Sequence, residues 1–239
     1  MSSMIDKTCI PIFLLIFSLT LHSQSIDGAW ETVIPNDDGW ETQHVVIISD
    51  GFVSEAFFEK DSGKFMGTWG GSYEAKDGNF NCTYEFATFD PQLVGTSQSL
   101  EFKLIDGKMH LEDKVWTRID DGSPGVLNGA WLISGRMREG KIQQRDTNRP
   151  RKTMKILSGT RFQWIAYNTE TKEFMGTGGG TYTSENGKYV ENIGFFSRDD
   201  LRVGASLSFD FKLEDGNWHH SGKSSKGSPI YEIWSPRKQ

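Results

Sequence analysis

The sequence is short of covalent staples. Only two cysteines occur in 239 residues. Cys9 falls in an N-terminal segment read below as removable, which leaves Cys82 alone. A single cysteine forms no internal disulfide, so the fold rests on its core, and Cys82 reads as a small buried apolar residue. Positive charge is also in deficit: 26 Lys and Arg against 32 Asp and Glu give a net charge of −6. That excludes a broad basic face for nucleic acid. His-x-His and Cys-x-x-Cys spacings are missing, so no metal site is expected. Gly176–Gly180 lacks the Lys-Ser/Thr and following helix of a phosphate loop; a strand bend or close backbone approach explains its glycines. No cofactor is expected. Long apolar runs are confined to one place, Ile10–Leu21 (IPIFLLIFSLTL). Twelve residues are too few to cross a bilayer of ~30 Å as a helix.

That run follows Lys7 and precedes the small residues Ser23 and Ser25. The order is that of a secretory signal peptide spanning residues 1–25, with no membrane span left after cleavage and a secreted or periplasmic destination. Cys9 stands before the apolar run, which disfavours a lipid anchor. Aromatics are plentiful, with eight Trp and sixteen Phe, and Gly reaches 26 against seven Pro. Aromatic residues favour strands and glycine favours tight turns between them.

The chain repeats itself. Val46–His110 aligns with Lys155–His219 at a constant shift of 109 residues without a gap, and 22 of the 65 positions are identical. Phe65–Thr68 (FMGT) matches Phe174–Thr177, and Asp106-Gly107 matches Asp215-Gly216. Asp27–Trp30 (DGAW) opens one copy and Asn128–Trp131 (NGAW) the other. The organisation is therefore repeat 1 over 26–119, a linker over 120–126 and repeat 2 over 127–239. Two insertions mark repeat 2: the basic stretch Arg136–Lys155, and Ser221–Pro229. Within each copy apolar residues alternate with polar ones, as in Leu207, Phe209, Phe211 and Leu213, and hairpin turns such as Asn186-Gly187 separate the runs. About eight strands per copy predict two tandem up-and-down β-barrels, with β-sandwiches as the alternative.

The phrases Met154–Tyr167 (MKILSGTRFQWIAY), Phe174–Tyr182 (FMGTGGGTY) and Tyr231–Trp234 (YEIW) carry a resemblance. They are similar to a bacterial group labelled only as membrane or secreted proteins, and more distantly to lipocalin-like DUF4488 domains. The resemblance covers repeat 2 nearly end to end and repeat 1 more weakly. It implies eight-stranded lipocalin-like barrels and export in bacteria that often degrade polysaccharides. It brings no activity and no site residues.

A barrel binds through its interior and mouth, so inward polar residues matter most. Alternation places Tyr189, Glu191, Ile193 and Phe195 on one face, and Ile230, Glu232 and Trp234 on another. A carboxylate on an apolar face is costly unless paired. Glu191 and Glu232 are thus the catalytic candidates, joined by His220, and a structural pairing of each with an arginine is the plain alternative. Arg161, Trp164, Tyr167, Phe195, Arg198, Trp218 and Trp234 are the expected ligand-binding residues. Repeat 1 has Cys82 at Glu191, Lys114 at Glu232, Glu55 at Trp164 and Phe52 at Arg161. Function is therefore sought in repeat 2, with repeat 1 as scaffold or altered binding unit. The leading reading is a secreted or periplasmic binding protein for a small saccharide or amphipathic ligand. A polysaccharide lyase or hydrolase using the repeat 2 carboxylates is the rival, and a ligand-free interaction module is the third.

Overall fold

The computed structural model describes residues 25–224 and 227–238, so residues 1–24 of the expected signal segment lie outside them. Eight strands build the first barrel: β1 (Gly28–Pro35), β2 (Glu41–Ser49), β3 (Phe52–Glu59), β4 (Phe65–Lys76), β5 (Asn79–Ala87), β6 (Ser97–Ile105), β7 (Lys108–Leu111) and β8 (Lys114–Asp120). Each pairs antiparallel with the next, and β1 closes on β8. The second barrel uses β9 (Gly129–Arg138), β11 (Arg151–Leu157), β12 (Arg161–Asn168), β13 (Glu173–Glu185), β14 (Lys188–Phe196), β15 (Ser206–Glu214), β16 (Asn217–Lys223) and β17 (Pro229–Pro236). It closes by pairing β9 with β17, while β10 (Lys141–Gln144) extends from the end of β9 as a hairpin arm. Two closed eight-stranded barrels therefore replace the sandwich alternative. No helix among the described residues is long and apolar enough to cross a membrane.

Local chemistry explains the closure. Asp106-Gly107, Asn186-Gly187 and Asp215-Gly216 all take positive φ at both positions, the geometry that matches strand twist in two-residue hairpins. Each barrel buries its opening tryptophan in its core. The Trp30 indole donates to Ile26 O at 2.8 Å and the Trp131 indole to Leu127 O at 2.9 Å. Gly71 and Gly180, repeat mates, sit at register shifts between β4 and β5 and between β13 and β14. A Cβ there would lie 1.9 Å from Thr83 O and 2.1 Å from Asn192 O, respectively. The glycine run is thus a bulged strand, where backbone passes close to backbone.

The barrels pack outer face to outer face. Phe86 meets Tyr167, with ring centroids 4.9 Å apart, and Phe195 meets Phe58 at 5.0 Å. In the repeat, Phe86 corresponds to Phe195 and Phe58 to Tyr167, so one contact is the mirror of the other. On the line between them repeat mates touch each other. Phe65 stacks on Phe174, and Ser54 Oγ donates to Gln163 Oε1 at 2.7 Å. Gln163 Nε2 in turn donates to Thr68 and Thr177, a third pair of mates. The interface is a pseudo-twofold one. Asp120 ties the end of β8 to the second barrel by accepting from Ser158, Gly159 N and both the backbone and hydroxyl of Thr160. Burial would raise its pKa, but these bonds outweigh it and hold Asp120 below the usual carboxylate range.

Candidate functional site

The second barrel holds a cavity of about 370 Å³ that opens to the surface. Strand alternation assigns its walls. Lys155 on β11, Trp164 on β12, Glu191 on β14, Leu207 and Phe209 on β15, His220 on β16 and Ile230, Glu232 and Trp234 on β17 all line it. The cations Arg136, Arg151 and Arg198 also line it. Its charges are four cations against two carboxylates, Glu191 and Glu232.

At its centre is a buried ion pair. Lys155 Nζ lies 2.7 Å from Glu191 Oε1, and the two residues are 4% and 5% exposed. The ammonium also lies 4.9 Å from the Tyr189 and Trp218 ring centroids and 5.2 Å from that of Trp234. Ring faces are electron-rich and add to its stabilisation. Glu232 is flanked by Arg136 Nη2 at 3.6 Å and His220 Nδ1 at 3.9 Å. Both candidate carboxylates therefore face the cavity, and each has a cation beside it.

His220 is 2% exposed, and neither ring nitrogen has a hydrogen-bond partner in the protein. The Trp234 indole nitrogen is equally buried and unpartnered, and so is the Arg136 Nε atom, although the Arg136 side chain as a whole is 43% exposed. Buried polar atoms are nearly always satisfied, so a cluster lining one cavity marks where a polar guest would sit. Burial, and then the Lys155 charge, hold His220 well below the ordinary histidine pKa. The folded protein keeps this imidazole neutral where the unfolded chain takes up a proton. Stability is therefore expected to fall as pH drops below about 6.5, by at most about 1.4 kcal/mol per unit for this group. Urea unfolding at pH 7.5 and 5.5 checks this: His220→Gln should flatten the dependence, and an unchanged slope in that variant would assign it elsewhere.

Four expected binding residues lie elsewhere. Arg161 and Tyr167 stand three places either side of Trp164, an odd spacing that puts them on the outer face. Tyr167 is buried between the barrels, where its hydroxyl donates to Glu85 and accepts from Arg237. Arg161 lines a groove of about 340 Å³ between the barrels. Phe195 would share a face with Glu191 in a regular strand. The bulge opposite Gly179 and Gly180 skips Gly194, so beyond it the faces exchange: Phe195 packs on Phe58 and Phe196 turns into the cavity. Trp218 is inside but lies behind His220, stacked on it at 5.4 Å, and does not line the cavity. His219 points the other way, 2.8 Å from the Tyr231 hydroxyl. Leu213, at the far end of its alternating run, is 48% exposed. Cys82 is buried in the first core, with its thiol pushed up to about 12 by burial and then by Glu85.

Lys155, Arg136 and Arg151 are site residues that the reading of the sequence missed. The repeat held the signal for Lys155, which stands where repeat 1 has Val46, in step with inward-facing Leu157. No family model matches the chain, and no curated protein matches it in sequence.

Proposed function

We propose that the protein is an exported binding protein whose second barrel holds a small acidic ligand, a saccharide acid or an amphipathic anion. The observation that carries this reading is the set of buried, unpartnered nitrogens of His220, Arg136 and Trp234 in a cavity with excess positive charge. Trp164, Phe196, Phe209 and Trp234 offer flat faces to a sugar ring or hydrocarbon. An acidic group would meet Arg136, Arg151 and Arg198. Binding alone needs no further chemistry, and both carboxylates already serve as ion-pair partners.

Calorimetric titration with galacturonate oligosaccharides and with dodecanoate tests the reading. At least one acidic probe should bind, and its methyl ester should bind at least tenfold more weakly, about 1.4 kcal/mol. Affinity should fall as salt rises. Equal binding of acid and ester, or silence from every acidic probe, removes the proposal.

A further inference from the structure

The first barrel has its own cavity, of about 310 Å³, in the repeat-equivalent place. His44 stands there for Thr153, Glu55 for Trp164, Gln98 for Leu207 and Leu111 for His220. The charge is reversed. One cation remains in the lining, Lys114, and it lies 3.7 Å from Glu112 and 3.5 Å from Asp113. The buried charge is now a carboxylate. Glu55 is 6% exposed; its Oε1 accepts from His44 Nδ1 at 2.7 Å and its Oε2 from the Trp69 indole at 3.0 Å. Among the described residues His44 is its only ion-pair partner.

Rings pack around the two donors of this carboxylate and line the cavity with it. Phe57 stacks on His44, Trp116 meets His44 edge-on, and Trp69 leans on Tyr84. Trp116 lines the same cavity, and its indole nitrogen is buried without a hydrogen-bond partner. Among the described residues no Lys or Arg lies within salt-bridge distance of this buried carboxylate, and a charge taken out of water calls for compensation. Ring faces are electron-rich and attract a cation desolvated between them. An indole N–H asks for an oxygen. We propose that the first barrel binds a small organic cation, an amine or quaternary ammonium bearing a hydroxyl, with its charge on Glu55 and its carbons against the rings. The inference is independent of the ligand proposed for the second barrel, because the two cavities share no residue.

The probes are choline and tyramine, each titrated beside an uncharged isostere, 3,3-dimethylbutan-1-ol and 4-propylphenol. At least one cation should bind at least tenfold more tightly than its isostere. Glu55→Gln keeps the shape and an acceptor for Trp69 but removes the charge; it should weaken that binding tenfold or more and leave dodecanoate titration unchanged. Should this variant not fold, nitrogen-edited NMR of the unaltered protein decides. The indole signals of Trp69 and Trp116, assigned by Trp69→Phe and Trp116→Phe, should move on adding the cation. Binding by neither cation, equal binding of the isostere, unaltered affinity in a folded Glu55→Gln variant, or shifts confined to Trp131 and Trp234 would each overturn the proposal.

Discussion

Lys155→Met is expected to lower stability by about 3–5 kcal/mol, because it leaves the Glu191 carboxylate buried without its cation. The two residues are among the least exposed charged groups of the protein, and nothing else within salt-bridge distance faces Glu191 among the described residues. The loss is one of compensation, not of contact. Replacing both partners, Lys155→Met with Glu191→Leu, should therefore recover most of it, since a matched apolar pair leaves no charge to desolvate. Urea unfolding of the two single variants and the double completes the cycle. Additive losses, with no recovery in the double variant, would show that the pair is not coupled. The double variant also separates two roles of the pair. It should fold and still bind acidic probes, since one cation and one carboxylate are lost together and Arg136, Arg151 and Arg198 remain.

The second large effect is expected at the far end of the chain. Arg237 reaches across the barrel interface, donating to Glu85 and to the Tyr167 hydroxyl, with its guanidinium 4.0 Å above the Phe52 ring. Phe52 and Glu85 belong to the first barrel, Tyr167 and Arg237 to the second. Burial, and then the Glu85 charge, push the Tyr167 hydroxyl well above the ordinary tyrosine pKa, so it stays a donor. Arg237→Ala leaves Glu85 without its only cation among the described residues and should cost about 3 kcal/mol. The location adds a second readout. Calorimetric unfolding should broaden or split into two transitions, since the clamp holds one barrel to the other. Arg237→Lys should restore little, because one ammonium cannot reproduce the planar donor pair and the ring contact. A single sharp transition with an unchanged midpoint in Arg237→Ala would show that the barrels are joined by the apolar contacts alone.

The architecture was legible in the sequence for a physical reason. Alternation of period 2 and Asp-Gly or Asn-Gly turns are local signals, and both repeats carry them in register. The inward set of β17 (Ile230, Glu232 and Trp234) follows plain alternation because the register shift between Ile233 and Trp234 skips Ser134 on β9 and no residue of β17. Phe195 was misplaced because one skipped residue, Gly194, exchanges the two faces of β14, and a bulge has no composition of its own beyond a glycine. Tyr167 and Arg161 suit a ligand chemically, but their odd spacing from Trp164 on β12 puts both on the outer face. The apolar outer faces of β2, β3, β11 and β12 could not be told from core by hydrophobicity, since they are core: the core between barrels. Lys155 was hidden inside the apolar phrase Met154–Leu157, where an amphipathic side chain reads as a surface residue until the repeat shows valine in its place.

The line of repeat mates between the barrels has one more consequence. At a true twofold axis each residue must meet its own twin, so a side chain on the axis competes with itself for the same space. Two glutamines at the position of Gln163 would collide amide to amide, and two serines would leave a hole. Here the long member fills what the short member leaves open, and its amide reaches the hydroxyls of Ser54, Thr68 and Thr177 together. Within this one chain the two halves therefore meet through a handed surface and not a self-matching one. Neither barrel can stand in for its partner, and each is free to carry a cavity of opposite charge without the other following.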